Sequence, residues 1–346
     1  MITLYSETHR KHNPPMEFLN GTLIPYYETP ERIRIILEAI SEHELGPIRS
    51  PEPFDPKWIE AIHTREYLEF LNQGYRKWVE AGGDPNALFP SALAVRRMNR
   101  KTNNPIALPG YYCFDMSAPI VEGTYDAALS AVHVALAGAQ TLEKGEQSAY
   151  ALCRPPGHHA ETDLAGGYCF MNNAAVAAQY LCDQPSIHRV AILDIDIHHG
   201  NGTQQIFYAR NDVVYISLHI DPQVEYPYFS GYSDEMGSGC GIGYNRNLPL
   251  PPHTENEAYL MALDEALAYT FSCKPDVLIV SAGFDTFIHD PLGGFDLTSE
   301  IYPIIGKRIA QMGLPTLFIQ EGGYAIEALG INVYGLLSGY EGAFLK

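Results

Sequence analysis

Five runs of the chain are apolar at almost every position and rich in β-branched residues. They cover 148–153, 190–197, 213–218, 277–281 and 316–319, and each ends in polar or glycine-rich sequence. A strand apolar on both faces belongs inside a parallel sheet covered by helices on each side. Between the runs, segments 125–142, 173–181, 254–271 and 299–312 read as helices. This β-then-α alternation predicts an α/β fold with a mainly parallel central sheet flanked by helices. A chain of 346 residues has room for two domains, but no internal repeat, low-complexity tract or Ser/Gly linker marks a boundary, so a single domain over 1–346 is expected. Segment 82–123, rich in Pro, Asn and Arg and carrying RRMNRK, breaks the rhythm and reads as a long inserted loop. In open parallel sheets ligands bind at the carboxyl ends of the strands, and the chain's unusual polar residues gather there.

The segment 190–203, VAILDIDIHHGNGT, runs a buried strand straight into Asp194, Asp196 and His198. Side chains alternate across a strand, so these three share one face while Ile195 and Ile197 take the other. Two carboxylates and an imidazole on an apolar strand are costly without a cation, and Asp oxygen with His nitrogen suits zinc. The run VLIVSAGFD ends another strand at Asp285, which is either a helix cap or a further ligand at the same sheet edge. Asp290 follows in DPLGG, where a turn role and a site role fit equally. CRPPGHH places His158 and His159 after a third strand, on a rigid turn where both can serve one site as proton carriers. QEGGY puts Tyr324 behind paired glycines, where its hydroxyl can meet a developing oxyanion. Metal, base, acid and oxyanion donor together describe metal-assisted hydrolysis of an amide.

Charge narrows the partners. Forty-one acidic against 22 basic residues give a formal net charge of −19, which disfavours nucleic acid and anionic membranes and draws cationic ligands. No stretch approaches the ~18 apolar residues of a membrane span, and MITLYSETHRKHNPP has no secretory pattern, so a cytoplasmic protein is expected. The six cysteines (113, 153, 169, 182, 240 and 273) form no CxxC pair and read as free thiols.

In order, RPPGHH, GGYCFMNNAA, DIDIHHGNGT, SLH, GFDTFIHDPLGG and EGGY resemble the arginase/deacetylase superfamily. More closely, they resemble the bacterial acetylpolyamine amidohydrolases, relatives of the zinc-dependent histone deacetylases. The resemblance implies one catalytic zinc held by Asp196, His198 and Asp285. It implies His159 as general base, His158 as its electrostatic partner or the acid, and Tyr324 as the oxyanion donor. Asp194 would hold His158 and join Asp196, His198, Ser217 and Leu218 around a structural potassium ion. A second potassium site would use Phe207, Arg210, Val213 and Tyr244. Tyr168, Tyr226, Gly167 and Leu292 would line a channel for a linear aliphatic amine, with Glu17 at its mouth to meet a distal ammonium. Many histone deacetylases carry aspartate where this chain has Asn201, beside His159; an amide leaves that ring more readily neutral. In similar enzymes the 82–123 segment builds a homodimer interface and narrows the entrance, although its basic cluster could also repel a polyamine.

The expected substrate is therefore a small cationic acetylated amine such as acetylputrescine or acetylcadaverine, with an acyl-lysine peptide as the alternative. A binuclear manganese hydrolase would need more bridging aspartates than DIDIHH and DTFIHD supply. A binding module would not need His158, His159 and Tyr324 beside a complete metal set.

Overall fold

The structure is a computed structural model that describes residues 1–344. Its strands are β1 (Ile2–Leu4), β2 (Met16–Leu19), β3 (Thr22–Pro25), β4 (Ile48–Arg49), β5 (Ser148–Ala151), β6 (Val190–Asp194), β7 (Val213–Ile220), β8 (Asn245–Leu250), β9 (Val277–Ala282) and β10 (Thr316–Gln320). Its helices are α1 (Glu31–Glu42), α2 (Lys57–Glu60), α3 (Arg65–Glu80), α4 (Pro109–Tyr112), α5 (Thr124–Glu143), α6 (Asn173–Cys182), α7 (Asn201–Phe207), α8 (Asn256–Ser272), α9 (Ile301–Ala310) and α10 (Ile326–Phe344). Eight strands form one sheet in the order β4-β1-β5-β10-β9-β6-β7-β8, every pairing parallel; β2 and β3 make a separate antiparallel hairpin.

The sheet is apolar on both faces because each face covers its own core. Ala149, Ile192, Tyr215, Ile279 and Leu317 pack beneath α3, α5 and α6; the alternate residues Tyr150, Leu193, Val214, Val280 and Phe318 pack against α1, α8, α9 and α10. That sandwich buries strands wholly, and burial at about 25 cal/mol per Å² of apolar surface is its main driving force. The expected mainly parallel α/β sheet is present, and all five predicted strands lie in its central part.

One local expectation changes. The strand expected over 190–197 stops at Asp194, and the chain then turns. Asp194 Oδ1 accepts the Asp196 N–H at 3.2 Å, and Asp196 Oδ1 accepts the His198 N–H at 3.0 Å. Each aspartate so bonds the backbone two residues on, and these Asx turns replace the sheet ladder. Ile195 and Ile197 still face the second core, so the expected separation of polar and apolar sides survives without the strand.

Segment 82–123 is mostly irregular. Leu88 and Ile120 form a bridge at its base, and Tyr112, Cys113 and Ala118 enter the core. Its tip is exposed, with Val95 48% and Met98 71% accessible. Among the described residues no helix is long and apolar enough to cross a membrane.

Candidate active site

Because the strands run parallel, their carboxyl ends open on one edge of the sheet, and the polar residues cluster there. Asp196 and His198 follow β6, Asp285 follows β9, the His158–His159 turn follows β5, and Tyr324 follows β10.

His198 Nδ1 lies 3.2 Å from Asp196 Oδ1 and 3.3 Å from Asp285 Oδ2. Four donors around zinc at about 2.0–2.1 Å sit about 3.3–3.4 Å apart, so this spacing already matches the edge of a coordination tetrahedron. Asp285 Oδ2 receives no well-aligned hydrogen bond although it is buried. Burial and the neighbouring Asp196 charge push the Asp285 carboxyl up to about 7, the strain that a dication relieves. Backbone closes the cradle: a Cβ at Gly322 would stand 2.2 Å from Asp285 Oδ2, and one at Gly283 would stand 2.1 Å from Asp196 Oδ2. The Gly322 N–H also donates to Asp196 Oδ2 at 2.9 Å. Donor chemistry, spacing and the unpartnered oxygen all fit a zinc-sized divalent ion.

The two histidines on the 154–159 turn meet different partners. His158 Nδ1 lies 3.1 Å from Asp194 Oδ2, which Tyr215 also donates to at 3.0 Å. Burial opposes a charged ring there, but Asp196 and then Asp194 outweigh it and push His158 up to about 10. His159 Nδ1 instead faces the Asn201 amide oxygen at 2.8 Å. Burial, then His158 and His198, hold that ring well below the usual histidine range. The pair is therefore one charged and one neutral imidazole, 4.0 Å apart between ring centroids.

A cavity of about 430 Å³ opens above these groups, lined by His159, His198, Gly167, Tyr168, Tyr226, Leu292 and Tyr324 among others. The four residues expected to wall it are thus present. The backbone at Gly167 and Tyr168 is left-handed, at φ +52° and +66°. Such a conformation is uncommon for a tyrosine and turns its ring into the channel. At Gly167 a Cβ would lie 2.3 Å from the His159 ring, so only glycine leaves that ring room. Tyr324 packs at 5.5 Å from Tyr168 by ring centroids, with the Arg32 guanidinium 4.9 Å over its own ring.

Glu17 is not at the mouth. It is fully buried behind the Tyr168 side of the wall, with Oε1 accepting the Tyr27 N–H at 2.9 Å. The hairpin turns Phe18, Leu19 and Asn20 toward the cavity instead. Two other carboxylates line it, Asp115 and Glu225, and among the described residues no lysine or arginine does. Asp115 comes from the 82–123 segment and was not singled out in the sequence. Its Oδ2 accepts from the Tyr226 hydroxyl at 2.7 Å and the Gly167 N–H at 2.9 Å, so it fixes both channel walls. Its surrounding sequence, CFDMS, is no motif that could have signalled it.

Asp290 takes the turn role: its Oδ2 accepts the Tyr324 and Ala325 N–H groups at 2.6 and 2.9 Å, fixing the loop that carries Tyr324. Arg32 grips the same loop through the carbonyls of Gly323 and Glu321, both at 2.6 Å. Of the residues expected around potassium, Asp194 and Ser217 are register partners on β6 and β7, with Leu218 next along β7. The Ser217 hydroxyl pairs with His219 Nδ1 at 2.8 Å. Phe207 ends α7, Val213 opens β7 and Arg210 lies on the connection between them, where the Phe207 carbonyl accepts the Arg210 N–H at 2.9 Å. The Tyr244 hydroxyl accepts from Arg189 at 3.3 Å, and that guanidinium lies 4.8 Å over its ring.

The family profile described as histone deacetylase domain matches residues 26–339. Acetylpolyamine amidohydrolase 1 of Pseudomonas aeruginosa is 46% identical over 346 residues, covering 99% of both chains. Acetylpolyamine amidohydrolase of Mycoplana ramosa is 40% identical over 343 residues, covering 99% of this chain and 100% of its own. The crystal structure of acetylpolyamine aminohydrolase from Burkholderia pseudomallei superposes with a TM-score of 0.94 at 38% identity, covering 99% of each chain.

Proposed function

The chain belongs to the histone deacetylase domain family, and on that premise we propose that it removes acetyl groups from small acetylated amines, monoacetylated diamines and longer polyamines among them. The observation that carries the reading is the set of Asp196, His198 and Asp285, of which His198 lines an aromatic-walled cavity, with His158 paired to Asp194 and His159 to Asn201 beside it. Near full-length identity of 46% and 40% to acetylpolyamine amidohydrolases supports the substrate class. A lining with two carboxylates and, among the described residues, no lysine or arginine suits a cationic amine. An acyl-lysine peptide is the weaker reading.

Asp196, His198 and Asp285 would hold one zinc ion, which when bound polarises a carbonyl and lowers the pKa of water. His159, its Nδ1–H donated to Asn201 Oδ1, presents Nε2 as the base that takes a proton from the attacking water. His158, kept charged by Asp196 and Asp194, steadies negative charge and gives a proton to the leaving amine. Tyr324 donates its hydroxyl to the scissile carbonyl as the oxyanion develops. Tyr168 and Tyr226 hold the methylene chain and keep water out. Potassium at Asp194, Asp196, His198, Ser217 and Leu218 would be structural, and the α7–β7 connection with Tyr244 would hold a second ion. The exposed tip of 82–123, with Val95 and Met98, would form a homodimer interface beside the entrance of this single domain.

Specificity is tested by kcat/KM of the zinc-loaded protein for acetylputrescine against an acetyl-lysine peptide. A ratio well above one is expected; a ratio below one overturns the small-amine assignment and leaves the chemistry standing.

The Asn201 contact sets a pH dependence. A carboxylate in its place would stabilise His159 as imidazolium and raise its pKa. The base acts only when neutral, so the acidic limb of the kcat/KM profile of Asn201→Asp should move to higher pH, by about one to two units. An unmoved limb would show that His159 is not the base.

A further inference from the structure

Next to the Asp196–His198–Asp285 set, a second group of donor atoms converges. A ring nitrogen of His158, the Cys169 sulfur and a Glu321 carboxylate oxygen all lie within 4.8 Å of one another, and all three residues are buried. Glu321 uses only half its carboxylate: Oε2 accepts the N–H groups of Gly157 and His158 at 2.7 and 3.2 Å, while Oε1 has no hydrogen-bond partner. Burial and the Glu321 charge push the Cys169 thiol well above the usual cysteine range, and the His159 backbone N–H facing the sulfur opposes them only in part. The group is therefore a thiol until a cation displaces its proton. An unpartnered carboxylate oxygen in a buried site is costly and calls for a ligand.

We propose that His158, Cys169 and Glu321 form a second, inhibitory site for a thiophilic divalent cation such as zinc. Sulfur, imidazole and carboxylate are the donors that zinc takes in tetrahedral geometry, and thiolate selects it over magnesium or calcium. Zinc–sulfur and zinc–nitrogen bonds of about 2.3 and 2.0 Å require the side-chain ends to close by about 1 Å. An ion there takes His158 out of proton transfer, so occupancy stops turnover. It also lies beside the first dication, and their repulsion confines binding to metal in excess of one per chain. The inhibition rests on the role given above to His158, whereas the site itself does not.

The two sites differ in one spectroscopic respect. The first has no sulfur donor, so thiolate-to-cobalt charge-transfer absorption in the cobalt-substituted protein reports the second alone. The first equivalent of cobalt should give no such band and the second should produce it, with Cys169→Ser lacking it. With zinc-loaded protein, added zinc should inhibit turnover, and Cys169→Ser, which keeps the basal rate, should need more than about tenfold more zinc. Cys169→Ala should behave as Cys169→Ser. No thiolate band with excess cobalt, a band that persists in Cys169→Ser, or equal zinc inhibition in all three proteins would overturn the proposal. The absorption needs no turnover, so it answers even if acetylated amines are not substrates.

Discussion

Asp285→Ala is expected to leave a folded protein that neither retains zinc nor hydrolyses its substrate. In the proposed zinc set Asp285 would supply one of three protein donors, and its Oδ2 has no other hydrogen-bond partner. Changes that merely disturb the groups around a metal lower affinity 10–100-fold, so loss of a ligand should exceed about 100-fold. The fold should survive, because metal-free Asp285 is held against burial and the Asp196 charge, and its one accepted backbone bond is from Ile197 at 3.0 Å. Metal content by elemental analysis, with circular dichroism as the folding control, checks this directly. A variant with full zinc occupancy would show that the third ligand lies elsewhere.

Tyr324→Phe should separate chemistry from binding. The ring would still pack on Tyr168 and beneath Arg32, and no metal donor is lost, so zinc content and KM should stay near those of the parent. Only the hydroxyl goes, and an oxyanion donor typically contributes 10²–10³-fold to kcat. A kcat within about threefold of the parent would remove Tyr324 from the reaction, since that is far below any such contribution.

How much of this was legible in the sequence follows from where each signal arises. Central strands such as β6 and β9 are covered on both faces, so their apolar runs announce themselves. β1, β4 and β8 lie toward the sheet's outer parts, and NRNLPL in β8 is too polar for the same pattern. The hairpin β2–β3 was missed for a similar reason: TLIP in β3 is largely exposed. α10 was missed because IEALGINVYGLLSGYEGAF is apolar and glycine-containing, with no clear polar face to mark a helical period.

In the candidate site, the carboxylates and histidines that the fold brings together were readable, because such groups at the ends of apolar runs need a reason to be there. Residues that act by holding backbone were not. Asp115 grips Gly167 and Tyr226 across more than 50 positions of sequence, and Glu321 grips the His158 turn across more than 160. Neither partnership leaves a local trace. Glu17 shows the opposite failure: a loop glutamate reads as solvated, and only the folded hairpin reveals that it is buried against the Tyr27 N–H.

The measurement closest to the central claim is acetate release from acetylputrescine by metal-stripped protein as zinc is added back. Activity should be near zero at the start and rise linearly to a break at one equivalent per chain. Full activity without metal, or no activity at one equivalent, would contradict a zinc amidohydrolase built on Asp196, His198 and Asp285.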